Sequence, residues 1–384
     1  MNAGLIVLLI LTKFLKNIQI LHQVNIANAQ NKIKGENKMC KNVKMGVIGT
    51  GSFGKMHLIG IKETIGVELA GVCDINEDIA KEAAELYNVP YYTDYKKLLQ
   101  DETIDAISVV TPDYLHCDMV EAALKAGKHV LCEKPLALNL EDCKKMISAA
   151  KKYDKIFMVG QICRYTPAFV AAKEIVDRGE IGEIFFMESE YAHDYAYMKE
   201  KDNWRKRPDR HGLIGGGCHA VDLIRWFVGD PYEVFGYSNH FMLPEWPTAD
   251  CTIGVMKFES GAIGKVFCST GCKRDYTMRT VIYGTKGTII VDNTSTHFTL
   301  YKAGEKDGDK IYGSDNHCVP VLVPTIVANH NISNEIADFV KLITTDKEVS
   351  INAVQGASTV SVCSAIVKSC ETGLPEKVDY CFEV

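Results

Sequence analysis

From residue 44 onward, short apolar runs alternate with amphipathic stretches, and this alternation constrains the fold more than any other feature of the sequence. Runs of about four to eight apolar residues bounded by turn residues are typical of buried strands, and the stretches between them have helical periodicity. Strands that alternate with helices form parallel sheets covered on both faces. The predicted strands are residues 45–48, 68–73, 106–110, 129–132 and 156–159. The predicted helices are residues 55–65, 79–87, 115–126 and 140–152.

The pattern changes near residue 180, where strand-like runs begin to follow one another without helices between them. Glu259, Ser260 and Gly261 separate two of these runs and are typical of a hairpin turn. The predicted strands are residues 184–191, 232–241, 252–258, 262–268 and 280–283. Helical periodicity returns at residues 331–344 and 353–370. The sequence therefore predicts an α/β domain followed by an α+β domain with a largely antiparallel sheet.

Size, charge and cysteine content exclude several classes of protein. A chain of 384 residues is typical of two domains. Its formal net charge of -6 argues against a nucleic-acid surface, which needs a concentrated basic face. The 14 cysteines are scattered, and the closest pair, Cys268 and Cys272, is not followed by a second pair at zinc-ligand spacing. We therefore expect reduced thiols in the cytoplasm, no metal site, and neither a nucleic-acid nor a membrane partner.

The first 38 residues allow two interpretations. An apolar run at residues 5–11 is too short to span a bilayer. It resembles a signal-peptide core, but Lys13 and Lys16 follow it and no positive charge precedes it, which reverses the usual polarity. Alternatively, residues 34–36 can be encoded by a purine-rich ribosome-binding sequence just before Met39. Our preferred hypothesis is that Met39 is the start and that residues 1–38 are a translated leader.

Residues 49–54 read Gly-Thr-Gly-Ser-Phe-Gly and match the pattern G-x-G-x-x-G. The pattern alone is weak, but here it follows a predicted strand and opens a predicted helix. The glycines permit a tight turn and let the backbone approach a pyrophosphate at the helix N-terminus. This context indicates a dinucleotide-binding site in a Rossmann domain.

Asp74 ends the next predicted strand, 20 residues beyond Gly54. Its carboxylate can accept hydrogen bonds from the adenosine ribose hydroxyls, and its charge would repel a 2′-phosphate. Ile75 and Asn76 follow it, so these neighbours supply no arginine to neutralise such a phosphate. The cofactor is therefore predicted to be NAD rather than NADP.

Two further segments follow predicted strands at the edge of the sheet where the cofactor is expected. Thr111 and Pro112 follow the fourth strand, and His116 begins the next helix, where it serves either the cofactor or the packing of the helix. Glu133 and Lys134 follow the fifth strand. The Lys134 ammonium can polarise or protonate a carbonyl oxygen there and stabilise an alkoxide as hydride leaves carbon.

Together these segments resemble the Gfo/Idh/MocA oxidoreductases, a family named for glucose-fructose oxidoreductase and inositol dehydrogenase. The resemblance extends through Gln161 and Arg164 to residues 216–222, Gly-Gly-Cys-His-Ala-Val-Asp. It covers essentially everything from Lys44 onward. It implies a large open sheet in the second domain that pairs subunits into homodimers or homotetramers.

The resemblance also implies the catalytic residues. Lys134 belongs to the catalytic dyad and precedes a cis bond to the following proline, and His219 lies beside the substrate hydroxyl. A histidine with a near-neutral pKa can take the hydroxyl proton while the cofactor takes hydride. Many members carry an aspartate four residues before this histidine, and here that position is Gly215. Either Lys134 and His219 suffice, or Asp194, Asp222 or a tyrosine substitutes.

The stretch from residue 191 to 210 is dense in polar and aromatic groups that suit a sugar, because aromatic faces stack on sugar rings and an arginine pairs with hydroxyls or a carboxylate. Asp222, one helical turn after His219, either orients the imidazole or packs. The residues expected to bind substrate are Arg164, Asp194, Tyr195, Trp204, Arg205, His219 and Asp222. The residues expected to bind the cofactor are Gly49, Gly51, Ser52, Phe53, Gly54, Asp74, Thr111, Pro112, His116, Glu133, Lys134 and Gln161.

The predicted activity is that of a nicotinamide-dependent dehydrogenase that oxidises a secondary hydroxyl of a sugar, sugar derivative or cyclic polyol. An NAD-dependent glycoside hydrolase or lyase that uses transient oxidation is one alternative, and a non-catalytic NAD-binding regulator is another. The sequence does not distinguish among substrates. We divide the chain into the leader (1–38), an NAD-binding Rossmann domain (44–162) and a substrate-binding and oligomerisation domain (163–384).

Overall fold

The computed structural model describes residues 42–199, 203–303, 318–345 and 349–382. The predicted leader, residues 1–38, lies outside the described residues. The described strands form two sheets, one parallel and one mainly antiparallel, as the sequence pattern predicted.

The first sheet has six parallel strands in the order β3-β2-β1-β4-β5-β6. They are β1 (Val43–Ile48), β2 (Val67–Cys73), β3 (Tyr91–Tyr92), β4 (Ala106–Val109), β5 (His129–Glu133) and β6 (Phe157–Gly160). The helices of this half are α1 (Ser52–Glu63), α2 (Glu77–Tyr87), α3 (Tyr95–Leu99), α4 (His116–Lys125) and α5 (Leu140–Tyr153). The strand order reverses between β1 and β4, and dinucleotides bind at the carboxyl ends of strands at such a reversal.

Burial explains why these strands form a parallel sheet. Met45 and Val47 of β1 are completely buried, as are Ile107 and Val109 of β4. Strands that are apolar on both faces need helices on both sides, which the crossover connections supply. Local signals fix the helix ends: the Asn76 side chain accepts hydrogen bonds from two backbone N–H groups of the first turn of α2.

The second sheet has nine strands in the order β14-β13-β12-β11-β7-β10-β9-β8-β15. They are β7 (Ile184–Ala192), β8 (Glu233–Asn239), β9 (Cys251–Lys257), β10 (Ile263–Ser269), β11 (Thr280–Gly284), β12 (Gly287–Val291), β13 (His297–Ala303), β14 (Cys318–Pro324) and β15 (Glu376–Lys377). Only the β7–β10 pair is parallel among these described strands. Two helices belong to this half, α6 (Pro167–Asp177) and α7 (Cys218–Val228).

The last two helices, α8 (Ile332–Thr345) and α9 (Ala353–Thr372), return to the first sheet. A Cβ on Gly60 of α1 would lie 2.7 Å from Ile332 of α8, so the two helices touch closely. Before α9, the Val159 backbone N–H donates to the Ile351 carbonyl at 2.8 Å. The C-terminal segment thus packs on both halves, and the division at residue 163 stays a proposal.

Several elements were not predicted from the sequence. The strands β3, β12, β13, β14 and β15 and the helices α3 and α6 were absent from the prediction, although Pro167 at the first position of α6 is a helix-start signal. The predicted helix 55–65 begins three residues later than α1, because the end of the glycine-rich loop is already helical. Within the described ranges, helices are too short or too polar to cross a membrane.

Candidate active site

The glycine-rich loop between β1 and α1 leaves its backbone open to an anion. Gly49 has a φ of +92°, and a Cβ there would lie 2.5 Å from the Val110 carbonyl oxygen. A Cβ on Gly54 would lie 2.0 Å from the Gly49 carbonyl oxygen. Gly51 faces open space, and in this described segment no side chain caps α1 and no acidic residue occupies its first turn. Free N–H groups at a helix N-terminus fit the pyrophosphate of a dinucleotide.

Asp74, at the end of β2, lies beside this loop. Its Oδ2 accepts a hydrogen bond from the Thr50 backbone N–H at 2.9 Å, and its Oδ1 accepts one from the Asn76 N–H at 3.0 Å. Oδ2 also accepts a hydrogen bond from Thr50 Oγ1 at 3.4 Å, so Oδ1 is the oxygen that keeps a further lone pair for a ribose hydroxyl. The geometry fits the role predicted for Asp74.

We expect Asp74→Ser to lower kcat/KM with NAD about 10- to 100-fold, because a hydrogen bond to a charged group contributes about 1.5–3 kcal/mol. Loss of the carboxylate also removes repulsion of a 2′-phosphate. The ratio of kcat/KM with NADP to kcat/KM with NAD should therefore rise. Steady-state kinetics with both cofactors measures this ratio, and an unchanged ratio would exclude Asp74 from the ribose site.

His116 joins the loops that follow β4 and β5. Its Nδ1 lies 3.0 Å from the Pro135 carbonyl oxygen, and its Nε2 lies 3.1 Å from the Thr111 carbonyl oxygen. Because both ring nitrogens face protein carbonyls, the geometry favours positioning of the loops over direct contact with the cofactor. The bond between Lys134 and Pro135 is cis, as the resemblance implied. These contacts fix the segment that carries Lys134.

Glu133 also holds the segment that carries Lys134. Its Oε1 lies 3.0 Å from His57 Nε2, and its Oε2 accepts the Lys134 backbone N–H at 3.2 Å. Ser108 Oγ lies 2.9 Å from the other ring nitrogen, His57 Nδ1. The imidazole is satisfied when Ser108 donates to Nδ1 and Nε2–H donates to Glu133. Burial would raise the pKa of Glu133, but the hydrogen bond from His57 and the charge of Lys134 outweigh it and lower that pKa.

A second buried carboxyl group, Glu335 of α8, joins this pair. Atoms of His57, Glu133 and Glu335 that could bind a cation lie within 4.8 Å of one another. Neither carboxyl oxygen of the fully buried Glu335 has a hydrogen-bond partner among the described residues. Burial and the charge of Glu133 raise the pKa of Glu335 well above its usual value. Because both nitrogens of His57 are engaged, we interpret the cluster as a neutral carboxylic acid beside a carboxylate rather than a cation site.

A neutral Glu335 makes stability depend on pH. Above about pH 4.3 the unfolded chain releases this proton while the folded chain keeps it, so the stabilisation present at low pH is lost as pH rises towards the raised pKa. Glutamine does not titrate. We therefore expect the free energy of unfolding of Glu335→Gln, taken relative to that of the parent, to increase with rising pH. Between about pH 4.3 and the raised pKa of Glu335, the increase should be up to about 1.4 kcal/mol per pH unit.

Urea denaturation at several pH values measures this difference. Glu371→Gln, an exposed site on α9, is the matched control and should change the free energy of unfolding by less than about 0.5 kcal/mol at every pH. A difference between Glu335→Gln and the parent that stays constant with pH would show that Glu335 is ionised in the fold.

His219 is the second residue of α7, whose first two turns are buried, and it is itself only 2% exposed. Its Nδ1 lies 3.3 Å from Cys163 Sγ, and that thiol lies 3.3 Å from Met278 Sδ. When Cys163 donates its S–H to Met278, its sulfur can accept Nδ1–H of His219, which leaves a lone pair on Nε2. Burial and the charge of Lys134 lower the pKa of His219 well below its usual value. The ring is therefore neutral at pH 7 and can accept a proton.

Two more imidazoles, His193 and His330, line the same space. Burial and then the charge of Lys134 lower the pKa of both rings, that of His330 to about 4. The Tyr276 ring lies between them, with centroids 5.0 Å from His193 and 5.6 Å from His330. The His330 and His219 centroids are 6.1 Å apart. Three neutral imidazoles thus lie close to one another, and the charge of Lys134 acts on each of them.

Two predicted cofactor residues connect the glycine-rich loop to this space. The Phe53 ring centroid lies 5.7 Å from that of His57 and 5.7 Å from that of His330. Gln161, which follows β6, is 1% exposed, and its Oε1 has no hydrogen-bond partner in the described part of the chain. A buried, unpartnered amide oxygen fits a donor from the cofactor, such as its carboxamide. Ser52 is exposed at the start of α1.

An arginine fills the space beside Gly215, where the resemblance implies an aspartate. A Cβ on Gly215 would lie 2.2 Å from the Arg210 guanidinium carbon, and Arg210 Nη2 donates to the Gly215 carbonyl at 3.1 Å. Arg210 Nε donates to Asp113 Oδ2 at 2.6 Å in a buried ion pair. Asp113 follows Pro112 directly, and its Oδ1 has no partner among the described residues. The pair therefore brings a carboxylate from the other domain to the vicinity of the missing side chain.

Arg164 and Asp222, both predicted to bind substrate, bind each other instead. Arg164 Nε and Nη2 donate to the two Asp222 oxygens, each at 2.8 Å. Thr359 of α9 also donates to Asp222 Oδ1 at 3.1 Å. Because the bidentate pair is buried and its polar atoms are engaged, the geometry favours a role in packing α7 against its neighbours. His219 Nδ1 contacts Cys163 Sγ and not Asp222.

The remaining predicted substrate residues lie in two groups. Asp194 is half-exposed and is paired with Lys273 at 3.1 Å, so its charge is already balanced. Tyr195 is buried, and its hydroxyl lies 2.9 Å from that of Tyr191. Trp204 and Arg205 form a half-buried stack, with the Arg205 guanidinium carbon 4.2 Å from the ring centroid.

Comparison with known proteins identifies the family to which this site belongs. Residues 43–161 match the family described as an oxidoreductase family with an NAD-binding Rossmann fold, and residues 169–290 match the GFO/IDH/MocA C-terminal domain. The chain belongs to the Gfo/Idh/MocA oxidoreductase family. The resemblance stated from the sequence is thereby confirmed, and the family description confirms NAD as the cofactor.

Relatives of this oxidoreductase include named sugar and polyol dehydrogenases. Myo-inositol 2-dehydrogenase of Thermotoga maritima is 32% identical over 278 residues, which cover 70% of this chain and 80% of that protein. Levoglucosan dehydrogenase of Pseudarthrobacter phenanthrenivorans is 26% identical over 377 residues, which cover 86% and 96%. A solved levoglucosan dehydrogenase in complex with NADH shares the fold, with a TM-score of 0.79, 24% identity, and coverage of 88% of this chain and 99% of that chain.

Several residues that the structure brings to the site of this oxidoreductase were not predicted from the sequence. Tyr276 and His330 lie in loops without a recognisable pattern, and no sequence signal pointed to them. Glu335 did carry a signal, because it is a charged residue beside Ile332 and Ile336 on the apolar face of a helix. A charge at such a position indicates a buried partner.

Proposed function

We propose that this oxidoreductase oxidises a secondary hydroxyl of a sugar, sugar derivative or cyclic polyol by transfer of hydride to NAD, with Lys134 and His219 as catalytic residues. The observation that carries the proposal is the buried His219 ring, whose Nδ1 contacts Cys163 Sγ at 3.3 Å and so leaves Nε2 for the substrate. Burial and the charge of Lys134 lower its pKa. The relatives named myo-inositol 2-dehydrogenase and levoglucosan dehydrogenase support the substrate class.

Lys134 and His219 have different roles at the substrate hydroxyl group. The Lys134 ammonium donates a hydrogen bond to the substrate oxygen and stabilises the negative charge that develops there. His219 accepts the hydroxyl proton at Nε2, because Nδ1 is directed to Cys163. Bound NAD supplies the hydride acceptor. Burial of His219, Tyr191 and Tyr276 excludes water from the reacting oxygen.

A panel of myo-inositol, levoglucosan and free sugars, incubated with the protein and NAD, tests the proposal. The expected result is NADH together with an equal amount of ketone product. Binding of NAD without NADH formation from any compound would contradict the proposal, as would cleavage of a glycoside with no net change in NAD.

We further propose a homo-oligomer that forms through the open face of the second sheet. Apolar side chains on neighbouring strands are exposed there: Tyr237 by 67%, Ile253 by 38%, Val255 by 42% and Ile263 by 51%. Exposed apolar side chains grouped in this way on neighbouring strands are typical of an interface. We expect light scattering to give the mass of a dimer or tetramer, and a monomer at micromolar concentration would contradict this.

We also propose that the protein works in the cytoplasm. The described cysteines are free thiols, and most of them are buried, which suits a reducing compartment. Mass spectrometry of the native protein would reveal its N-terminus. An N-terminus that follows a cleaved signal peptide would contradict this location.

A further inference from the structure

Arg205, at the edge of the active site, has no acidic partner in the described part of the chain. It lies in a short 3-10 turn, Trp204–Lys206, and is half-buried. Its guanidinium stacks on Trp204, and only its backbone N–H, not its side chain, has a hydrogen-bond partner among the described residues. Burial and then the charge of Arg210 lower the pKa of Arg205. Burial of a charge is costly unless a partner compensates for it, so the guanidinium is suited to an anion that binds there.

Two carboxylates of the described active-site region are committed to other cations. Asp113 is paired with Arg210 at 2.6 Å. Asp194 is paired with Lys273 at 3.1 Å and also accepts the Ala196 backbone N–H at 2.9 Å. Among the described residues, these two carboxylates therefore balance cations other than Arg205.

Arg205 and Lys134 act on the same space. Trp204 connects Arg205 to the active site, because the Arg210 guanidinium carbon also lies 4.8 Å from its ring centroid and Arg210 Nη2 donates to the Gly215 carbonyl, four residues before His219. Burial, and then the charges of Lys134 and Arg205, lower the pKa of His193. The His193 ring also contacts the rings of Tyr195 and Tyr197, with centroids 5.0 Å and 6.2 Å away. A ligand whose hydroxyl group meets Lys134 can therefore extend along His193 towards Arg205.

We propose that the substrate is a sugar or polyol that carries an oxyanion, a carboxylate or a phosphate, and that Arg205 binds this group. The inference rests on the proposed function for the reacting hydroxyl. A guanidinium presents parallel N–H donors that match both oxyanions, and the stack on Trp204 holds its plane before the ligand arrives. Arg205 thus determines specificity, whereas Lys134 and His219 act at the reacting carbon.

Matched pairs of compounds test the inference: D-gluconate against D-glucitol, D-glucuronate against D-glucose, and D-glucose 6-phosphate against D-glucose. Initial rates of NADH formation give kcat/KM for each. We expect the anionic member of at least one pair to exceed its neutral partner at least tenfold, and the carboxylate and phosphate arms identify which oxyanion is bound. Higher kcat/KM for the neutral member of every pair would overturn the inference.

Variants connect the preference to Arg205. Arg205→Gln should lower the preference for the anionic member about 10- to 100-fold, mainly through KM, because a hydrogen bond to a charged group is lost. Arg205→Lys keeps the positive charge but loses the parallel N–H donors of the guanidinium. Its preference for the anionic member should lie between that of the parent and that of Arg205→Gln. Arg207→Gln is the matched control, because Arg207 is exposed and paired with Asp209, and it should keep the parent preference. Equal losses for both members of a pair in Arg205→Gln would overturn the inference.

A binding measurement separates this inference from the proposed reaction. Calorimetric titration of the NADH complex with gluconate and with glucitol requires no turnover. If no compound yields NADH but gluconate or glucose 6-phosphate still binds through Arg205, the proposed reaction fails and the anion site stands. If NADH forms from neutral sugars and no anion binds more tightly than its neutral partner, the reaction stands and the anion site is wrong.

Discussion

Lys134→Met should lower kcat about 10³-fold while the dissociation constant for NAD stays within about threefold of the parent value. The ammonium donates to the reacting oxygen in the proposed mechanism, and the loss of one such donor typically costs about 10²–10³-fold in rate. The segment itself should keep its position, because Glu133 holds it through the Lys134 backbone N–H rather than the side chain. Initial rates of NADH formation, together with NAD titration by fluorescence, measure the two quantities.

The control for this variant is Lys151→Met, which removes an exposed lysine of α5 and should leave both quantities unchanged. If Lys134→Met kept more than a tenth of the parent rate, the ammonium would not act on the reacting oxygen. A parallel loss of NAD binding would instead assign Lys134 to cofactor binding.

Arg210→Met should lower the free energy of unfolding by about 3–5 kcal/mol, because it strands the Asp113 carboxylate in a buried site. The side chains of the pair are 4% and 2% exposed, and one Asp113 oxygen already has no partner among the described residues. Urea denaturation followed by circular dichroism measures the loss. The double variant Arg210→Met with Asp113→Leu should recover most of it, since no buried charge remains.

The neighbouring pair Arg207–Asp209 supplies the control for this prediction. Its N–O distance is 2.7 Å, close to that of the buried pair, but its side chains are 42% and 51% exposed. Exposed pairs contribute only about 0–1 kcal/mol, so Arg207→Met should have a small effect. Equal losses in Arg207→Met and Arg210→Met would show that burial of the Arg210 pair does not determine its energy.

Local sequence signals sufficed for the cofactor half of the molecule. Gly49, Gly51 and Gly54 determine backbone geometry within a few residues, and Asp74 follows from the length of one βαβ step. Each of these signals acts over a short stretch of chain. A single sequence can therefore reveal them.

The substrate half depends on contacts between distant parts of the chain, which a single sequence does not show. Arg210 meets Asp113 across 97 residues, and Arg164 meets Asp222 across 58. Asp113 was not singled out, because a carboxylate after a proline is common in turns. Arg164 and Asp222 looked like ligand-binding residues because nothing in the sequence shows that they satisfy each other.

The outer strands of the second sheet, β12 to β15, were also not predicted. β12 follows β11 after a tight turn in which only Thr285 and Lys286 separate the strands, so the two read as one run. The helix α6 lies where the pattern changes from one domain to the other. The pattern of its eleven residues does not indicate a strand and does not match the β-rich segment that follows. Boundaries between periodicities are where such patterns carry least information.

In the proposed reaction, hydride moves from a substrate carbon to NAD at a site formed by Lys134 and His219. Mass spectrometry of the cofactor tests this transfer after turnover of a substrate from the panel that carries deuterium on the reacting carbon. We expect one deuterium in each NADH formed, an equal amount of ketone, and loss of both in Lys134→Met. Recovery of unlabelled NAD, with the substrate cleaved or unchanged, would exclude the proposed transfer.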